Sequence, residues 1–269
     1  YIGDPDVLAG FIQSGADGKG VEVVLVRDLD MGSHNITLST SFESISNCTF
    51  NGNNHTIANY TLSNKQYAGL LPNAIRVTVK NLTLKNANIT AVNDGSNNAY
   101  AGGFIGRAYG TNVVENCTLE NSIVQGINKV GGIAGFQAEN GISIRKCTVK
   151  GSTIKVDTEN QEYGQCGGIL GYIGSVAAAN EVSGNFIINT KVEAPVNTNI
   201  GEEHRKSSIC VGTLQGVKGQ SLVIDMPFSY IQSSTFNGKT IDKTEYMGLL
   251  GGIRYEETQP SLTINGTRF

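Results

Sequence analysis

The chain has 269 residues, a net charge of −3 and only 16% charged side chains. No basic block appears, so the electrostatic footprint of a nucleic-acid binder is missing. No apolar run reaches the length of about 18 residues that a membrane-spanning helix needs. Asn, Ser, Thr and Gly are abundant and Trp is absent, which suits the polar surface of a secreted or cell-surface protein.

The first residues, Asp4-Pro5-Asp6-Val7-Leu8-Ala9-Gly10-Phe11-Ile12, read as a short amphipathic helix with Asp4 as N-cap and Pro5 in the first turn. They lack the basic start and apolar core of an export signal, so any such signal is expected to lie outside this chain. The apolar run Val21 to Val26 follows, then Ile36-Thr37-Leu38 and Phe50-Asn51-Gly52-Asn53-Asn54-His55-Thr56-Ile57. This pattern divides one domain, 1–269, into a cap (1–20), first coils (21–64) and repeats (65–269). A solenoid end exposes unpaired strand edges, and a cap helix blocks their association.

From there a glycine-centred phrase returns six times. It reads Ala68-Gly69-Leu70-Leu71, Gly102-Gly103-Phe104-Ile105-Gly106, Gly131-Gly132-Ile133-Ala134-Gly135, Gly167-Gly168-Ile169-Leu170-Gly171, Val211-Gly212-Thr213-Leu214 and Met247-Gly248-Leu249-Leu250-Gly251. With Gly69, Gly103, Gly132, Gly168, Gly212 and Gly248 as markers, the steps are 34, 29, 36, 44 and 36 residues. A period of that size marks a solenoid. Each marker is followed by a short Val/Ile/Thr-rich stretch, such as Asn116-Cys117-Thr118-Leu119 or Arg145-Lys146-Cys147-Thr148-Val149, and then by a third apolar patch such as Ser122-Ile123-Val124. Three short strands per unit without a helical period predict an all-β fold, a single-stranded right-handed parallel β-helix. Stacking then places Tyr67, Ala101, Val130, Cys166, Cys210 and Tyr246 in one file.

The five cysteines, at 48, 117, 147, 166 and 210, show no CxxC spacing, and an odd number cannot all pair within the chain. Cys48, Cys117 and Cys147 share one phrase of the repeat, and Cys166 and Cys210 another, so they read as small apolar residues inside the coil. His34, His55 and His204 have no ligand-type neighbour at i+2 to i+4, and no metal or other cofactor is expected. His55 reads as a packing or hydrogen-bonding group of the first coil. Asp28 and Asp30 share one strand face and read as turn caps, while the remaining acids scatter. The glycine phrases lead into strands, which excludes a phosphate-binding loop.

Spacing within the units is uneven in one place. Insertions collect at one corner: Val92 to Asn98, Asp157 to Gln165, Pro195 to Ser208 and Lys239 to Glu245. In solenoids, insertions on one face often build the binding face. The candidate binding residues are therefore Asn93, Asp94, Asn97, Asp157, Glu159, Tyr163, Glu202, Glu203, His204 and Arg205. The plain alternative is a solvated corner that tolerates insertions.

The glycine phrase followed by Asn-Cys-Thr-Leu resembles the GLUG repeat of bacterial surface proteins. The opening, with Asp28 to Met31 before Phe50 to Ile57, is similar to the start of such β-helices. The resemblance implies a pectin-lyase-like scaffold of the Bacteroidetes cell surface, often described as adhesin-like, and it supplies no catalytic residues. The expected function is a non-catalytic module that adheres to a polysaccharide or a host surface glycoprotein through the corner loops, or serves as a rigid spacer. The alternative is a polysaccharide lyase or glycoside hydrolase, which needs paired carboxylates in a groove.

Overall fold

The computed structural model describes the chain apart from residues 35, 39–43, 93–97, 158–163, 175–179, 195–207, 209, 216–221, 226–229, 233, 237–238, 242–249, 255–261 and 266–269. The N-terminal helix runs Pro5–Ser14, and Asp4 Oδ1 accepts the Asp6 N–H at 2.8 Å as its N-cap. Gly15 closes it in the left-handed region at φ 59°. Leu8, Ala9 and Ile12 bury against the first coils, and Phe11 lies 5.9 Å from the Phe50 ring.

Beyond the helix the chain winds through four sheets in turn. The long sheet stacks Glu22–Val24, Thr49–Asn51, Thr78–Lys85, Asn112–Glu120, Ile142–Arg145, Asn180–Ser183, Leu222–Asp225 and Leu262–Asn265. The second runs from Thr61–Lys65 through Asn88–Val92, Ile123–Gly126, Thr153–Val156 and Lys191–Glu193 to Ser234–Phe236. The short third sheet holds Tyr67–Ala68, Tyr100–Gly102, Lys129–Gly131 and Gln165–Gly167. The fourth holds Ile45–Ser46, Leu71–Ile75, Ile105–Tyr109, Ala134–Gln137, Leu170–Ile173, Val211–Gln215 and Leu250–Arg254. Strand pairing is parallel among the described residues, except where Lys239–Ile241 folds back on Ser234–Phe236. This is a parallel β-helix.

The coils from Thr78 to Tyr109 and from Asn112 to Gln137 thus have four strands each rather than the expected three. The glycine phrase is itself two strands, because the Gly102-Gly103 pair breaks the chain between Tyr100–Gly102 and Ile105–Tyr109. A Cβ on Gly102 would lie 2.1 Å from the Ile105 carbonyl oxygen, and one on Gly106 2.6 Å from that of Pro72. Only glycine lets the third and fourth sheets approach this closely.

Inside, equivalent side chains stack coil on coil. Phe50, Val79, Val114, Ile144 and Val182 make one file, and Leu62, Ile89, Val124, Ile154 and Val192 another, all fully buried. Burying each such side chain contributes about 1.5–3 kcal/mol. The corners are turned by residues of positive φ, mostly Asn, whose short amide tolerates the left-handed region. Asn81, Asn116, Lys146 and Gly184 stand at one corner with φ of 54°, 51°, 55° and 58°. Amide bonds link successive coils there, with Asn116 Nδ2 donating to Asn81 Oδ1 at 2.8 Å.

Register corrects three sequence readings. Tyr67 pairs with Tyr100, and Ala68 with Ala101, so Tyr67 is not in the Ala101–Val130–Cys166 file. The first turn has Gly69 where the next has Gly102-Gly103, and a one-residue slip moves a side chain to the other face. Cys210 bonds at the level of Ile169, three residues on from Cys166, and Cys48 lies before Thr49, which pairs with Thr78, away from the Cys117 level. All five thiols are free and buried as expected. Tyr246 lies outside the described residues.

A candidate binding face beside the insertion corner

Three of the four expected insertions begin and end at one corner of the coil. Three leave the second sheet after Val92, Val156 and Glu193, and the chain re-enters beside the third sheet at Tyr100, Gln165 and Ser208. The fourth expected insertion begins differently: Lys239–Ile241 is the returning arm of the hairpin. Asp157 is placed at the base of the corner, where its Oδ2 accepts from Gln125 Nε2 at 3.0 Å and its N–H donates to the Gly126 carbonyl at 2.7 Å. Gln125, Lys155, Asp157 and Glu193 line a shallow cleft of about 220 Å³. Asn93, Asp94, Asn97, Glu159, Tyr163, Glu202, Glu203, His204 and Arg205 lie outside the described residues.

Beside this corner the third and fourth sheets carry a feature the sequence reading missed. Tyr67 stacks on Tyr100 with ring centroids 5.4 Å apart, Tyr100 meets Phe136 edge-on at 4.9 Å, and Phe136 meets Tyr172 at 5.5 Å. None of these rings belongs to the interior core, yet Tyr100 is only 6% and Tyr172 only 3% exposed. Tyr100 and Tyr172 form the floor, and the half-buried Tyr67, Tyr109 and Phe136 stand above it. Burial pushes the Tyr100 hydroxyl up to about 12, and it donates to Asn98 Oδ1 at 2.7 Å.

Two cations are set among the rings. Lys129 Nζ lies 4.5, 4.8 and 5.0 Å from the centres of Tyr100, Phe136 and Tyr172. The Arg107 guanidinium lies 5.5 Å from both Tyr67 and Tyr109. These distances fall within the range of cation–π attraction, about 6 Å. Next along the third sheet from Lys129 is Gln165, 4% exposed, whose carboxamide oxygen has no hydrogen-bond partner. The signal was in the sequence: Tyr-Ala-Gly recurs at 67–69 and 100–102, and Arg107, Phe136 and Tyr172 each follow the last glycine of their phrase.

The other candidate groups have structural partners. Asp28 accepts from the Thr56 N–H at 2.9 Å and from His55 at 3.1 Å, and Asp30 from Gly32 N–H and Asn59 Nδ2, both at 2.9 Å. Asp30 caps its own turn as expected, whereas Asp28 ties its strand to the next coil instead, and His55 bonds within the first coils as expected. His34 sits between Ser33 Oγ and Asp6 Oδ1, each at 3.2 Å. That chain fastens the turn to the cap helix, and Asp6 stays 84% exposed. Among the described residues no three His, Cys, Asp or Glu gather as metal ligands, and no helix is long and apolar enough to cross a membrane.

Residues 97–124, which include the second glycine phrase and Asn116-Cys117-Thr118-Leu119, match the GLUG motif family. No curated protein matches the chain in sequence. Among solved structures it is similar to a protein from Bacteroides ovatus described as a "putative immunoglobulin A1 protease". The TM-score is 0.59 at 17% identity, over 98% of this chain and 83% of that one. At that identity the likeness speaks for the fold. The chain is a parallel β-helix that carries a GLUG motif.

Proposed function

We propose that this β-helix is a non-catalytic, adhesin-like module, secreted or displayed at the cell surface, that binds glycan on the aromatic platform and its flanking insertions. The carrying observation is the outward row of Tyr67, Tyr100, Phe136 and Tyr172, continuous over four coils. Sugar rings offer an apolar face that stacks on aromatic rings, while their hydroxyls bond to polar groups at the rim. The described ends of the insertions, at Tyr100 and Gln165, stand at one edge of that row, and loops on rigid scaffolds often shape specificity. A host glycoprotein would be held through its sugars.

A glycan microarray tests the reading with the full chain and with the Tyr67→Ala/Phe136→Ala variant. Binding by the wild type and its loss in the folded variant is the expected result. Silence of the folded wild type across neutral and acidic glycans would count against glycan recognition.

One observation favours a second reading. Asp157 and Glu193 line the same cleft, and paired carboxylates are what a glycoside hydrolase uses. Incubation with any bound glycan, followed by product analysis, separates the two. Fragments released by the wild type but not by Asp157→Asn would make the module an enzyme.

A further inference from the structure

The charge of Arg107 is arranged differently from charge on the long sheet. There, four strand cations meet carboxylates one or two coils away. Lys80 pairs with Glu22 at 3.0 Å, Lys85 and Lys150 with Glu120 at 3.6 and 3.2 Å, and Arg145 with Glu115 and Glu181 at 2.6 and 3.6 Å. Each charge there is largely cancelled by its neighbour.

Arg107 departs from that arrangement. It lies between two tyrosine rings, its Nη1 donates to Asn73 Oδ1 at a long 3.4 Å, and no carboxylate among the described residues pairs with it. Glu139 accepts a hydrogen bond from the Tyr109 hydroxyl. A guanidinium carries five N–H donors in a planar fork matched to a carboxylate. One weak bond leaves most of that fork available. Lys129 places a second cation one coil further along, over three rings.

We propose that the ligand of this face is a linear, uronate-bearing polysaccharide lying along the solenoid axis. Arg107 forks a carboxylate, and sugar rings lie against Tyr67, Tyr109 and Phe136. This rests on the glycan reading above and names its chemical class. A polymer fits better than a single terminal acidic sugar because rings recur on successive coils, about 4.8 Å apart.

The test is isothermal titration of the full chain with polygalacturonate, alginate and hyaluronate, each against its carboxyl-reduced form. Arg107→Gln, Arg107→Lys and Tyr67→Ala are titrated in parallel, with circular dichroism to confirm folding. At least one acidic polymer is expected to bind, and its reduced form at least about tenfold more weakly. Losing a charge-assisted bond predicts a drop of about 10- to 100-fold for Arg107→Gln on the acidic polymer, and little change on the reduced one. Arg107→Lys, which keeps charge without the fork, falls between, and Tyr67→Ala weakens both forms.

Equal binding of acidic and reduced forms would overturn the acidic class and leave the glycan reading standing. So would an Arg107→Gln affinity within about twofold of wild type. Binding confined to neutral glycans on the microarray has the same meaning. Silence on both the array and these polymers sinks both readings.

Discussion

The sharpest structural test is a single methyl group added at Gly102. A Cβ there would sit 2.1 Å from the Ile105 carbonyl oxygen, 2.6 Å from the Gly135 nitrogen and 2.8 Å from the Ala134 Cα. All three are backbone atoms, on the same turn and on the next coil, so no side chain can swing aside. Ordinary contact begins at 3.4 Å, so the strands must part by roughly 1 Å. Overpacking commonly costs about 1–3 kcal/mol. Parting the strands also strains the bonds from Gly103 N–H to the Gly132 carbonyl at 3.1 Å and from Phe104 N–H to that of Ile133 at 3.0 Å. Each is worth about 0.5–1.5 kcal/mol net, which brings Gly102→Ala to a loss of about 2–6 kcal/mol. Gly10→Ala is the matched control. Gly10 lies on the exposed side of the helix with nothing within 4 Å of its would-be Cβ, so alanine gains about 0.5–1 kcal/mol there. Urea unfolding by circular dichroism gives the stability, and hydrogen exchange at Gly103 and Phe104 shows local opening, which a solenoid allows. A Gly102→Ala protein within about 0.5 kcal/mol of wild type would refute the close-approach argument.

At Asn116, with φ 51° and its amide bonded to Asn81, alanine should cost about 1–2 kcal/mol in backbone strain besides the lost bond. Asn116→Gly relieves the strain, so an alanine variant as stable as the glycine one in urea would remove the left-handed argument. Burial pushes the Cys210 thiol up to about 12 and raises Cys166 and Cys117 as well, so native protein at pH 8 should resist a disulfide reagent and yield five thiols only when unfolded; rapid native labelling would contradict the interior placement. In the first coils Asp28 is held below the usual carboxylate range by the Thr56 N–H and then by His55, and Asp30 by Asn59 and then by the Gly32 N–H. Groups lowered in the folded state stabilise it fully above the unfolded carboxylate value near 4 and lose that contribution as pH falls through the lower folded value. Acid should therefore open the N-terminal coils first, below about pH 4, and Asp28→Asn should flatten the response; loss that begins above about pH 5 in urea midpoints would implicate other groups.

Periodicity made the interior legible, because burial repeats in every coil. The Val/Ile/Leu files, the asparagine corners and the Asp4 cap all follow from residue type and spacing. Register was harder to read. One glycine fewer at Gly69 turned Tyr67 from an expected interior residue into the first ring of the platform. Gly212 was aligned with Gly168, but the strands pair it with Gly171, three residues on. Two glycines in a short phrase are equivalent locally, and only hydrogen bonding between coils chooses between them. The insertion corner could be seen in spacing alone. The platform could not, because its rings come from two sheets whose faces meet only after the glycine turn is folded.

That geometry bears on how such a surface can diversify. From Val92 onward the chain leaves the second sheet and returns beside the third through connections of 7, 2, 8 and 14 residues. Yet Tyr100, Lys129 and Gln165 remain in register, fixed by bonds such as Tyr100 N–H to the Gln66 carbonyl and Gln165 N–H to that of Asn128, both at 2.6 Å. Closing a longer loop costs entropy only logarithmically, so extension from 2 to 14 residues costs about 1.7 kcal/mol. One buried aliphatic side chain offsets that. Loop length and sequence can therefore change beside the rings without moving them. A fixed aromatic floor next to inexpensive variable loops is the arrangement expected of a recognition surface, whereas a spacer has no use for the variation.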